Sequence, residues 1–250
     1  MDTPEPPFSF TLTAEGQTPR RFQCVDHNSQ VISVAVLKGE TYPLGPMRAL
    51  LGGETLTVVD IGAHVGAFAT LVSIHWPGST ILSFEPNAAS FRCLTENVES
   101  LPGVRVFPYA LAQDEHRLPL HGSEFGAAGT SLGESPVNTG ADGIVEVKDA
   151  GRTLAALDVT AIDILKVDTE GCEVPILRSM SWLLVTAKVI FASYHSEQDR
   201  RIIDTILGVT HDLCSGRIEG PHRGTFCFVR RGLITGSERM RIDLPAALRT

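Results

Sequence analysis

Val58-Val59-Asp60-Ile61-Gly62-Ala63-His64-Val65-Gly66 decides how this chain is read. A β-branched run enters a turn that carries an acid and two glycines. Behind it, Val65, Phe68, Ala69 and Val72 fall at i, i+3, i+4 and i+7, one face of a helix. Strand, glycine turn and helix form the opening unit of a doubly wound α/β domain. The dinucleotide fingerprint G-x-G-x-x-G places a pyrophosphate on the helix N-terminus. Here Asp60 and Val65 stand at its first and third glycine positions. A carboxylate repels a pyrophosphate but suits a ligand bearing an ammonium or sulfonium group. Asp60, Gly62 and Gly66 therefore predict a site for S-adenosylmethionine. The plain alternative is an acid in an ordinary βα turn.

Length and composition narrow the classes. A chain of 250 residues with 43% hydrophobic content fits one large globular domain. A formal net charge of −8 argues against broad binding to nucleic acid, which needs clustered Lys and Arg. The start Met1-Asp2-Thr3-Pro4-Glu5-Pro6-Pro7 shows no secretory signal. Lys188 interrupts the best apolar run, Leu183 to Phe191, so no membrane span is expected and the expected location is cytoplasmic. Cys24, Cys93, Cys172, Cys214 and Cys227 form no C-x-x-C pair and read as reduced thiols. No metal ligand is assigned.

From the N-terminus, residues 1 to about 20 read as a mobile arm. Phe22–Val25 and Val31–Val34 read as strands around a turn at Asp26-His27-Asn28-Ser29, and Pro43 to Leu51 as a short helix. Residues 1–56 then form an N-terminal arm and cap, which either covers the ligand, builds a homodimer face or caps a sheet edge. Residues 57–250 form the ligand-binding domain, in one compact unit with it. Ser79 to Glu85 is the second buried strand. Glu85 lies about twenty residues past the glycine turn, where an acid accepts from ribose hydroxyls. Asn87 N-caps the next helix, whose face is Phe91, Leu94, Val98 and Leu101. Val104 to Leu111 is a third strand; Tyr109, Ala110 and Leu111 are candidates to pack on an adenine, with a core strand end free of ligand contact an equal reading for each. Residues 121 to 143 are rich in glycine and serine and read as a long lid or binding loop; Thr130–Leu132 are candidates to touch substrate, with plain surface flexibility the stronger reading for any one of them.

The second informative stretch is Ile162-Asp163-Ile164-Leu165-Lys166-Val167-Asp168-Thr169-Glu170-Gly171-Cys172-Glu173. Lys166 and Asp168 share a strand face at the C-terminal end, where open α/β sheets bind ligands. Three charged groups at a buried strand end are costly unless paired or functional. A structural ion pair between Lys166 and one carboxylate is the plain alternative. Val174, Leu177 and Met180 mark the following helix, with Pro175 in its first turn. Lys188 to His195 is a fifth strand ending in a histidine. Thr225 to Val229 is a late antiparallel strand, closed by Arg230 and Arg231, which read as solvated.

Together, Val59 to Gly66, Phe84-Glu85-Pro86 and Ile164 to Glu173 resemble the FkbM family of S-adenosylmethionine-dependent methyltransferases. The resemblance spans roughly residues 57 to 180 and implies a Rossmann-like class I methyltransferase fold with a reversed last strand. It implies methyl transfer, most often to oxygen, on sugars, polyketides, lipids or other small metabolites. Cofactor contacts then fall on Asp60, Gly62, Ala63, Gly66, Glu85, Pro86, Tyr109 and Ala110. The catalytic candidates are Asp168, His195, Lys166 and Glu170. His195 would accept a proton near neutral pH, and Lys166 would hold Asp168 or Glu170 ionised. Two departures stand out: His64 replaces the family's usual Asn, and Ser193-Tyr194-His195 stands where the family often has Glu. The alternatives are an N-methyltransferase acting on an amine or amino sugar, a nucleotide-dependent oxidoreductase, and a non-catalytic cofactor-binding module.

Overall fold

Alternate residues of the central strands feed two separate cores, and that division builds the molecule. The structure is a computed structural model, described for residues 8–13, 19–53, 55–123, 126–132, 141–234 and 241–243. It begins with β1 (Phe8–Leu12), β2 (Arg20–Cys24), α1 (His27–Leu37) and α2 (Leu44–Leu51). Next come β3 (Thr57–Ile61), α3 (Ala67–His75), β4 (Thr80–Phe84), α4 (Ala88–Val98) and β5 (Val104–Phe107). A small sheet follows from β6 (Ala110–Ala112), β7 (His116–Ser123), β8 (Gly126–Leu132) and β9 (Ala141–Asp149). The second half holds α5 (Ala150–Ala156), β10 (Ile164–Val167), α6 (Glu173–Ser179), α7 (Ser181–Leu184), β11 (Val189–Tyr194) and α8 (Glu197–Leu207). It closes with β12 (His211–Gly220), β13 (Arg223–Arg230) and β14 (Arg241–Asp243).

The main sheet has the order β14-β12-β13-β11-β10-β3-β4-β5. Strands β5, β4, β3, β10 and β11 run parallel, and β13 is antiparallel to β11. Val58, Ile81, Ile164 and Val189 point into one core with α1 to α4. Val59, Leu82, Leu165 and Ile190 point into the other with α5 to α8. Burial on both faces is why these strands read as unbroken apolar runs rather than alternating ones. The chain leaves β3 toward β4 on one side and returns to β10 on the other. The crevice where strand order reverses therefore opens at the C-terminal ends of β3 and β10.

Several expectations are corrected. Residues 31–34 are helical, inside α1: Asp26 N-caps the helix by accepting from the Ser29 N–H at 2.6 Å. Ser29, Ser33 and Val36 then bury one helical face, so the β-branched residues yield to tertiary context. The strand expected over 104–111 is two, β5 and β6, broken at Pro108-Tyr109; β6 leaves the main sheet and pairs with β9. The expected loop over 121–143 is largely strand, since backbone pairing in β7, β8 and β9 needs no apolar side chains. Its residues 124–125 and 133–140, and the side chains of Thr130–Leu132, lie outside the described residues. Within the expected arm, 8–12 is a strand paired with β2, and 1–7 and 14–18 lie outside the described residues. Arg230 is engaged rather than solvated, donating to the Thr186 carbonyl, whereas Arg231 is exposed as expected and donates to the carbonyls of Val209 and Gly208. Among the described residues no helix is long and apolar enough to cross a membrane.

Candidate active site

Parallel pairing of β10 with β3 sets Lys166 beside Asp60, and β3 with β4 sets Asp60 beside Ser83. Asp60 is wholly buried, and Lys166 Nζ lies 3.2 Å from its Oδ1. The same ammonium donates to the Gly62 carbonyl. Burial raises the Asp60 pKa, against the pull of Lys166. The ion pair weighed as the plain alternative for Lys166 thus forms with Asp60, which faces Lys166 rather than the cavity.

A cavity of about 300 Å3 opens at the strand ends. It is lined by nine of the twelve expected site residues: Gly62, Ala63, Glu85, Pro86, Ala110, Lys166, Asp168, Glu170 and His195. Asp60 sits behind this wall. Gly66 supports packing instead: a Cβ there would stand 2.8 Å from Leu94 Cδ1, at φ 87°. Tyr109 is outside as well, packed on Phe84 and Phe107, with Lys148 Nζ 4.1 Å from its ring centre.

One half of the cavity is a cradle. Gly62, at φ 80°, lets the β3–α3 turn touch the end of β10; a Cβ would fall on the Asp168 carbonyl. Glu85 is 6% exposed, and its two oxygens accept from the His64 and Asn87 N–H groups at 2.8 Å each. Burial, only partly opposed by those bonds, pushes it up to about 7. Each oxygen keeps a lone pair for a further donor. His64 occupies the left-handed region at φ 51°, which explains why Asn suits this position in the family it resembles. Burial and the charge of Lys166 bring His64 down to about 4, so its ring is neutral.

The other half is charged. Asp168 follows β10, and the Tyr42 hydroxyl donates to its Oδ2 at 3.0 Å. Burial works against the Asp168 charge, but Lys166, His195 and this hydrogen bond outweigh it and hold the carboxyl below its usual range. Glu170 is raised by burial although Arg223 Nη2 lies 3.1 Å from both its oxygens. His195 follows β11 between two carboxylates, with Nε2 3.2 Å from Glu170 and Nδ1 3.0 Å from Glu173. Burial disfavours its charge, yet Glu173, Glu170 and Asp168 together push it up to about 9. The imidazole is therefore an imidazolium at neutral pH, not the free base expected of it.

Sequence reading missed Tyr42, Glu173 and Arg223 as site residues. Tyr42 lies in a segment read as a cap, and Arg223 just before the late strand, in a stretch given no functional role. Glu173 stood in the quoted motif without a role. Among the described residues, Asp168, Glu170 and His195 each offer a ligand atom within 4.8 Å of the others.

A family model described as the methyltransferase FkbM domain matches residues 60–212. Hexuronic acid methyltransferase AglP of Haloferax volcanii is 26% identical over 150 residues, which cover 59% of this chain and 59% of that protein. Methyltransferase 1 of Beauveria bassiana is 26% identical over 156 residues, covering 53% and 63% respectively. The chain thus spans about three-fifths of the length of these curated relatives. Among solved structures, Aeropyrum pernix fibrillarin, in complex with natively bound S-adenosyl-L-methionine, gives a TM-score of 0.51 at 13% identity. That likeness covers 90% of this chain and 84% of the other and is one of fold alone.

Proposed function

The chain belongs to the FkbM methyltransferase family, and from that premise we propose that it is an S-adenosylmethionine-dependent O-methyltransferase acting on a hydroxyl of a small metabolite. The observation that carries this reading is the cradle at the ends of β3 and β4, which falls inside the matched segment. Glu85 keeps two acceptor positions for the ribose hydroxyls, and Gly62 leaves room for the cofactor against the backbone. Ala63, Pro86 and Ala110 complete the wall. Bound there, S-adenosylmethionine supplies a methyl group already activated by its positively charged sulfur.

The chain's own task is to orient the acceptor and exclude water, which can supply much of the rate. Asp168, ionised and held by Tyr42, accepts the hydrogen bond of the acceptor hydroxyl. His195 stands beside it as a cation. The relative named for hexuronic acid points to hydroxylated sugar acids as the first acceptors to try.

Calorimetry with S-adenosylmethionine and then with NAD tests the cofactor. Binding of the first and not the second is expected; the reverse sinks the assignment. With labelled methyl donor, hydroxylated metabolites should take up label and their amine analogues should not. Label on nitrogen would favour the N-methyltransferase alternative. Asp168→Ala should cut methyl transfer while cofactor affinity changes less.

A further inference from the structure

An alcohol is a weak nucleophile until something helps it lose its proton. The charged half of the cavity holds a convergent donor set. Asp168 comes from the end of β10, Glu170 from the turn after it, and His195 from the end of β11. All three are partly buried on the cavity wall, with one ligand atom each inside a 4.8 Å spread. Two carboxylate oxygens and an imidazole nitrogen suit a divalent first-row cation such as Mn2+.

The surroundings of the trio support ligation. Glu173 is wholly buried and lies 3.0 Å from His195 Nδ1, which leaves Nε2 facing Glu170. A metal-bound histidine is generally held in this manner, by a carboxylate on its other nitrogen. Glu173 is itself fixed, accepting from the N–H groups of Thr169 at 2.9 Å and Gly171 at 3.0 Å. Asp168 is held by hydrogen bonds from Tyr42 and Ser193. Ligation through Nε2 requires the proton on that nitrogen to leave as the cation binds, and the cation would take over from Arg223 on Glu170.

We propose that Asp168, Glu170 and His195 bind one divalent cation, with Glu173 and Tyr42 as positioning residues. Three protein ligands leave positions for oxygens of the acceptor. The class of acceptor implied is one with two neighbouring oxygens, such as a vicinal diol or a hydroxy acid. A cation held there would bind the acceptor hydroxyl and lower its pKa. This inference rests on the reading of the cavity's charged half as the acceptor side.

The test titrates the purified full chain with Mn2+, followed by electron paramagnetic resonance of the free ion and by calorimetry. S-adenosylmethionine binding is measured on the same samples. One saturable Mn2+ per chain is expected. Asp168→Asn and His195→Gln should each weaken it ten-fold or more, and Glu173→Gln by about 10- to 100-fold. Glu170→Gln, in the turn, is the further variant should a strand-end change prevent folding. Cofactor binding without saturable Mn2+ binding overturns the cation site and leaves the methyltransferase reading standing. Mn2+ affinity indifferent to all four substitutions overturns it too. A chain that binds neither loses both readings.

Discussion

Lys166 and Asp60 form an ion pair at the inner end of the cavity. The pair is buried and compensates itself, so removing one partner strands the other's charge in the core. Lys166→Met should cost about 3–5 kcal/mol in urea unfolding. The double variant Asp60→Asn/Lys166→Met should recover much of that, because both charges are then gone; equal losses in the single and double variants would refute the pairing argument. Glu85 makes a different prediction. Its folded pKa, about 7, lies above the ordinary 4.5, so the folded chain holds the proton more tightly than the unfolded one. Between those values stability falls as pH rises, because the folded state binds more protons there. The melting temperature of Glu85→Gln should therefore gain on wild type from about pH 5 to about pH 8, while its affinity for S-adenosylmethionine drops. A constant offset across that range would show that Glu85 titrates normally.

At the scale of elements, what could be read from the sequence tracks burial. β3, β4, β10 and β11 are buried on both faces, and their apolar runs announce themselves. The turns after them carry charges in unusual places, which is why Glu85, Asp168, Glu170 and His195 were visible as site residues. Composition misled where backbone pairing does the work, as in β7, β8 and β9, and where one N-cap outweighs β-branched residues, as in α1. Geometry across elements was not legible at all. That Asp60 turns to Lys166, or that Tyr42 reaches Asp168, depends on register and on contacts between segments far apart in sequence. Gly66 is the instructive case. The sequence places it beside the ligand, and in the structure its missing side chain makes room for α4 behind α3. Gly66→Ala combines a left-handed backbone with a contact of 2.8 Å to Leu94. It should destabilise the chain by about 1–3 kcal/mol in urea unfolding. Pairing it with Leu94→Val should relieve the contact part of that loss and leave the backbone part.

At the scale of the whole molecule, the segment before β3 belongs to the same core as the sheet. Phe22, Cys24, Tyr42 and Leu44 are each 2% exposed or less and share a cluster with Val58, Phe68 and Phe191. Asn97 of α4 ties β2 down, donating to the Gln23 carbonyl and accepting from its N–H. The division also runs through the cavity. Its cradle is built from residues within 60–212, whereas Tyr42, Arg217, Glu219 and Arg223 on the charged side lie outside the family match. The charged side thus joins Asp168, Glu170 and His195 from the matched segment to residues that lie outside it. Burial of each large apolar side chain is worth about 1.5–3 kcal/mol, against a total stability of about 5–15 kcal/mol for a domain. Removing residues 1–56 takes away at least four such anchors and uncovers Phe68 and Phe191. The truncated chain should lose cooperative unfolding in urea and its near-ultraviolet circular dichroism. It should also lose S-adenosylmethionine binding, although none of the cradle residues has been deleted. A truncated chain that still unfolds cooperatively and binds the cofactor would show that the N-terminal segment is a separable cover, and that the core it completes is one the sheet can do without.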